Sequence, residues 1–177
     1  GRELVGLIGE SIQNVSSGFS LREFTVAAVR GLDKLELKGR AQHIAVALRL
    51  FLPEDFGDAL EILTASLGPT LSETEGNGLA PFFYLPHSEF IAFYGLEHFE
   101  LGMQANLELT QRFSAEFSIR PFIERYPEKS LKLLRKWSRH ASPHVRRLVS
   151  EGSRPRLPWG MRLRVFSNAP EKTLALL

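Results

Sequence analysis

Apolar residues recur at helical spacing along almost the whole chain. In SLREFTVAAVRGL, Leu21, Phe24, Ala28 and Leu32 fall on one stripe. Ser20 stands at the N-cap position with Glu23 three residues on, a pairing suited to the free N–H groups of a helix start. KGRAQHIAVALRLFLP carries Ile44, Leu48 and Phe51 at the same period and stops before Pro53. PEDFGDALEILTASLG opens with Pro53 near a first turn, with acids beside it where the helix dipole favours negative charge. It ends near Gly68 and Pro69.

Residues 69–86, PTLSETEGNGLAPFFYLP, interrupt this pattern with three prolines and two glycines. A connection this long inside a helical chain is expected to pack LAPFFYLP back on the helices. Helical patterning resumes in HSEFIAFYGLEHF, ELGMQANLELTQRF and AEFSIRPFIERY, then in PEKSLKLLRKWSRH and PHVRRLVSEG. The last two read as a unit: Leu131, Leu134 and Trp137 form one inner stripe, ASP makes the turn, and Val145, Leu148 and Val149 form the next stripe. Helix, short proline turn, helix is the pattern of a HEAT-type repeat. PEKTLALL reads as the first helix of another repeat. The fold class expected is all-α: stacked antiparallel helix pairs in a HEAT-like α-solenoid, one domain over residues 1–177, cut short at its C-terminal end.

Charge is segregated along this scaffold. Residues 1–49 hold seven Lys/Arg and five Asp/Glu, and residues 50–111 hold ten acids and no Lys or Arg. Residues 112–177 hold fifteen basic residues against five acids, so a net charge of only +2 hides a cationic C-terminal third. Such asymmetry points to a surface that meets a polyanion. The chain has no cysteine, which removes disulfides and cysteine-ligated zinc. It has no apolar run long enough to span a bilayer. His43, His87, His98, His140 and His144 make no metal-ligand spacing, and no phosphate-cradling glycine motif or G-x-S-x-G turn occurs. Chemistry here must therefore come from carboxylates and cations, with no metal or cofactor.

Two constellations carry such groups. In VRRLVSEGSRPRLPWG, Arg147 and Glu151 lie four apart on one helix face, while Arg154 and Arg156 flank Pro155 in a stiffened turn. Guanidinium forks on a rigid turn suit phosphate oxygens. Trp159 either stacks on a base or sugar or plugs the gap between repeats. In TQRFSAEFSIRPF, Arg112, Glu116 and Arg120 recur every four residues, with Phe113, Phe117 and Phe122 inward. That ladder is either a solvent-facing ion-pair row of little energetic weight or part of a site. Pro121 is expected to bend or end its helix.

Together, RFSAEFSIRPFI, the following Trp137 and VRRLVSEGSRPRLPWG resemble the AlkC branch of the HEAT-repeat DNA alkylation repair glycosylases. The likeness is strongest over residues 103–177. It implies a helical-repeat stack with a basic concave surface that grips damaged duplex DNA and hydrolyses the N-glycosidic bond of cationic alkylated bases. These are 3-methyladenine and, in this branch, 3-methylcytosine. Position by position, it implies catalytic roles for Glu116 and Glu151. Arg147, Arg154, Arg156 and Trp159 become DNA contacts, with Arg120 of the neighbouring ladder taken as a further DNA-binding candidate, double-stranded alkylated DNA as partner and a bacterial cytosol or nucleoid as location. The resemblance also implies a catalytic aspartate in the next repeat, beyond Leu177. The alternatives carried forward are a non-catalytic helical-repeat module that binds nucleic acid, and a protein-interaction scaffold using the acidic middle.

Overall fold

The computed structural model describes residues 1–71, 80–169, 171–174 and 176. Its helices are α1 (Arg2–Val15), α2 (Leu21–Val29), α3 (Leu37–Phe51), α4 (Phe56–Ala65), α5 (Leu85–Tyr94) and α6 (Phe99–Thr110). They continue as α7 (Ile119–Arg125), α8 (Pro127–Trp137), α9 (Pro143–Gly152), α10 (Arg164–Ser167) and α11 (Glu171–Leu174). No strand occurs among the described residues.

Consecutive helices joined by short turns pack as pairs, α2 on α3, α5 on α6 and α8 on α9. Contacts of α3 with α5 and of α6 with α9 carry the stack from one pair to the next. This is the arrangement a repeat needs, because no single pair can bury its apolar stripe alone. One continuous core results, running from Val5, Ile8 and Ile12 through Phe24, Leu48, Phe90, Met103 and Phe122 to Leu134, Leu148 and Phe166.

The sequence stripes land where the periodicity places them, with local exceptions. Phe24, Ala28 and Leu32 are buried, but α2 ends at Val29 and Leu32 sits in a 3-10 turn behind Gly31, whose φ of 76° is left-handed. Ser20 occupies the N-cap of α2 without a side-chain cap. Pro53 lies outside α4, which starts at Phe56 because the Asp55 carboxylate accepts the Asp58 N–H at 3.0 Å. Within the expected loop 69–86, residues 72–79 lie outside the described residues. Phe83 and Tyr84 do pack on the core, the Tyr84 hydroxyl donating to the Leu67 carbonyl at 2.8 Å, and Leu85 already begins α5.

The largest departure lies at residues 111–118. The Arg112–Glu116–Arg120 ladder presupposes one helix, but α6 ends at Thr110 and α7 begins only at Ile119. Arg112 turns back to Glu108, 3.0 Å away, instead of meeting Glu116. Pro121 falls in the first turn of α7, where its missing N–H costs nothing, so it starts a helix rather than bending one. The intervening turn is held by a buried pair: Ser118 Oγ donates to Asn106 Oδ1 at 2.6 Å, and Asn106 Nδ2 donates to the Gly102 carbonyl at 2.8 Å.

Candidate nucleic-acid interface

The turn between α6 and α7 lies directly against the end of α9. A Cβ placed on Gly152 would stand 3.0 Å from Ile119 Cγ2 and 3.9 Å from Glu116 Cα. Glycine at this point lets the two backbones close, and so brings Glu116 of the turn beside Glu151 of the helix. Both carboxylates line one groove of about 460 Å³. Arg147, Arg154, Leu157, Pro158 and Trp159 line the same groove on the C-terminal side.

Within it the charges are ordered. Glu151 and Arg154 form an ion pair of 2.8 Å across one helical turn and the start of the following loop, with the Glu151 side chain only 24% exposed. Arg147 precedes Glu151 by one turn on α9 and is exposed. Trp159 is 91% exposed and adopts φ 60°, a left-handed backbone that a large side chain rarely takes. Of its two sequence readings, the plug between repeats is thereby excluded: the indole projects into solvent at the rim of the groove. Trp137, by contrast, is buried in the core.

Arg120 requires a correction. Its side chain is completely buried, so it cannot reach a DNA backbone. It donates from Nη1 to the carbonyls of Gly152 (3.1 Å) and Arg154 (2.8 Å), from Nη2 to that of Pro155 (3.3 Å), and from Nε to that of Met161. Burial lowers its pKa, while the negative charges of Glu116 and Glu124 oppose the shift. The residue rivets the 152–161 loop to α7 from beneath. Sequence spacing suggested a surface ladder because the break at residues 111–118 carries no strong helix-stop signal.

Arg156 lies in a second, neighbouring concavity of about 540 Å³ with Pro155, Arg162, Phe166 and Ser167. Arg154 lines both, so the two hollows share a wall. The groove also recruits residues the motifs did not indicate: Leu37, Lys38 and Ala41 of α3, Phe82, and Leu85 and Glu89 of α5. Glu89 accepts a hydrogen bond from Gln42 at 3.2 Å. No periodicity or motif marks these positions, since they reach the groove only when α3 and α5 stack beside the C-terminal repeat. Among the described residues, no cluster of three or more His, Asp or Glu is placed to hold a metal ion, and no helix is long and apolar enough to cross a membrane.

Fold and groove define an all-helical repeat protein with an open hollow in which two carboxylates lie among guanidiniums. Comparison with known proteins places it further. The structure superposes on Pseudomonas fluorescens AlkC, an alkylpurine DNA glycosylase solved bound to DNA containing an abasic-site analogue, with TM-score 0.87 and 32% identity. The match covers 99% of this chain and 47% of that one. YhaZ, an uncharacterized protein of Bacillus subtilis (strain 168), is 33% identical over 175 residues, which are 97% of this chain and 46% of YhaZ. The chain is similar to AlkC and to YhaZ along essentially its full length, and it spans about half the length of both relatives. No protein-family model matches it.

Proposed function

We propose that the protein is a DNA glycosylase that removes cationic alkylated bases, 3-methyladenine foremost and 3-methylcytosine as a further substrate, from duplex DNA in the bacterial cytosol or nucleoid. One observation carries the reading: Glu116 and Glu151, far apart in sequence, line one groove with Arg147, Arg154 and Trp159. The P. fluorescens relative, an alkylpurine DNA glycosylase, supports it.

The chemistry suits the groups present. A base alkylated at N3 already carries positive charge, so it leaves with the electron pair of its bond to C1′ without prior protonation. The sugar is left with oxocarbenium character, which an adjacent carboxylate stabilises electrostatically. Water then adds to C1′, and its proton passes to a carboxylate or to solvent. Glu116 and Glu151 take these two roles between them. Arg147 and Arg154 hold phosphates close and offset the negative charge that a duplex brings beside the carboxylates. The hollow is open rather than a closed pouch, and this suits a lesion exposed by bending the duplex, with Trp159 lying against the exposed stack.

The deciding experiment is release of free 3-methyladenine from methylated DNA, measured beside binding to the same duplex. Release at a rate well above the protein-free background is expected, and its absence would overturn the reading. Binding without release would instead favour a non-catalytic duplex-binding module, a reading that rests on the same guanidiniums.

A further inference from the structure

Two arms of chain bound the second concavity, residues 154–156 and residues 162–167. Their spacing is set by the protein itself. The Leu163 N–H donates to the Pro155 carbonyl at 3.0 Å, which joins the arms directly. Arg120 joins them a second time, since its one guanidinium reaches the carbonyls of Arg154 and Pro155 on the first arm and of Met161 at the root of the second. The base of the second arm is anchored again where Glu124 Oε2 accepts the Arg164 N–H at 3.0 Å.

The side chains presented by this frame are matched in chemistry. Pro155 sits between Arg154 and Arg156 in a bend, and both arginines line the second hollow. Arg154 meets Glu151 in the groove, and Arg156 enters the second hollow with Arg162. Arg162 is oriented from behind: its Nε donates to Ser167 Oγ at 3.3 Å, while Ser167 donates onward to the Leu163 carbonyl at 2.9 Å. The engaged Nε leaves both Nη groups of Arg162 for a ligand. The hollow is thus lined by three exposed guanidiniums: Arg154, shared with the groove and paired there with Glu151, and Arg156 and Arg162, which line this hollow alone; none of its lining residues is a carboxylate.

We infer that this cleft is a phosphate seat in which Arg156 and Arg162 together clasp a single backbone phosphodiester of duplex DNA, next to the groove that holds the carboxylates. Arg120 and Ser167 act as positioning residues, one spacing the arms and the other aiming the Arg162 fork. Two planar forks on one phosphate fit the tetrahedral array of its oxygens better than ammonium groups would. Because Arg154 lines both hollows, a strand seated here runs directly past Glu151. The inference rests on the duplex-binding part of the proposed function but not on catalysis.

The test measures affinity for an undamaged duplex across a salt series, for wild type, the double variant Arg156→Gln/Arg162→Gln, and a charge-matched control, Arg22→Gln/Arg135→Gln. Arg22 and Arg135 are exposed and line neither hollow. Loss of one seated phosphate lowers the slope of log affinity against log salt by about 0.9. Affinity in the double variant is expected to fall about tenfold or more, the weight of a charge-assisted contact. The control is expected to keep most of the wild-type slope. An unchanged slope in the double variant, or an equal fall in the control, overturns the seat. A fall near twice the expected value overturns the shared phosphate in favour of two separate contacts.

Calorimetry with inorganic phosphate forms a second arm. Saturable binding that disappears in the double variant would reassign the cleft to a free phosphate ligand and overturn the backbone assignment. Failure of the catalytic reading stays distinguishable, because wild type would then show the slope change on mutation without releasing any base. All the substituted side chains are exposed, and melting curves confirm that each variant is folded.

Discussion

The Glu151 carboxylate and the Arg154 guanidinium stand 2.8 Å apart at the point where α9 gives way to the loop, and both line the groove that also holds Glu116. The pair sets two functions against each other, since an arginine satisfied by Glu151 has less to offer a phosphate. Replacing one partner therefore separates them. Glu151→Gln keeps the shape and removes the charge. Base release is expected to fall at least a hundredfold, a loss typical of removing an aligned charge or general base. Duplex affinity should stay level or rise slightly. Single-turnover release and equilibrium binding on the same lesion duplex check both halves, and full activity in this variant would remove Glu151 from the mechanism. Arg154→Ala should do the converse, weakening binding similarly for any sequence and flattening its salt dependence.

Trp159 predicts a division between stability and binding. Its left-handed backbone costs about 1 kcal/mol or more, which glycine would relieve. Glycine also adds unfolded-state freedom worth roughly 0.5–1 kcal/mol, so the two effects nearly cancel. With the indole almost fully in solvent, Trp159→Gly should leave the melting temperature near that of wild type. Duplex affinity should nevertheless drop about tenfold, within the range of about 1–3 kcal/mol for an aromatic stacked on a base. A large loss of stability with unchanged binding would make Trp159 a structural residue after all.

His87 supplies a pH dependence. Its ring is fully buried against Phe83 and Tyr84, and neither nitrogen has a hydrogen-bond partner among the described residues. Burial pushes its pKa down to about 4, with the Phe83 main chain acting in the opposite sense. Between that value and the ordinary 6.5 the unfolded chain binds the proton and the native protein does not. Stability therefore rises with pH through this window and is lost as pH falls from about 6.5 towards 4. The loss is on the order of 3 kcal/mol at the lower end. Denaturant midpoints measured over this range should show it, and His87→Leu should flatten the portion above pH 5. An unchanged profile in the variant would assign the acid sensitivity to other groups.

Two glycines in helices should respond to alanine with opposite signs. In α6, a Cβ on Gly102 would lie 2.4 Å from the Phe122 ring and 2.9 Å from the Gly95 carbonyl. Gly102→Ala is expected to destabilise by about 2 kcal/mol, as overpacking outweighs the better helix propensity. In α1, a Cβ on Gly6 meets nothing within 4 Å, so Gly6→Ala should stabilise by roughly 0.5–1 kcal/mol. Thermal or chemical denaturation of the two variants decides the matter by sign alone.

What the chain determines by itself is its helical character and its inner stripes. Leu131, Leu134 and Trp137, or Val145, Leu148 and Val149, are buried because a 3.6-residue period leaves an apolar helix face no other way to avoid water. The separation of charge along the chain was legible too, as was the local string that puts Arg147 and Glu151 on one helix face. The fate of Arg120 was not. In sequence it continues the Arg112–Glu116 spacing; in the fold, a break of eight residues rotates it inward, where four main-chain carbonyls solvate its charge. Nor could spacing bring Glu116 to Glu151, join Arg162 to Arg156, or carry Lys38 and Glu89 into the groove. Those meetings depend on how closely one helix pair approaches the next, at contacts such as Gly152 against Ile119. Periodicity reports which face of a helix turns inward, and only packing between helices decides what that face will touch.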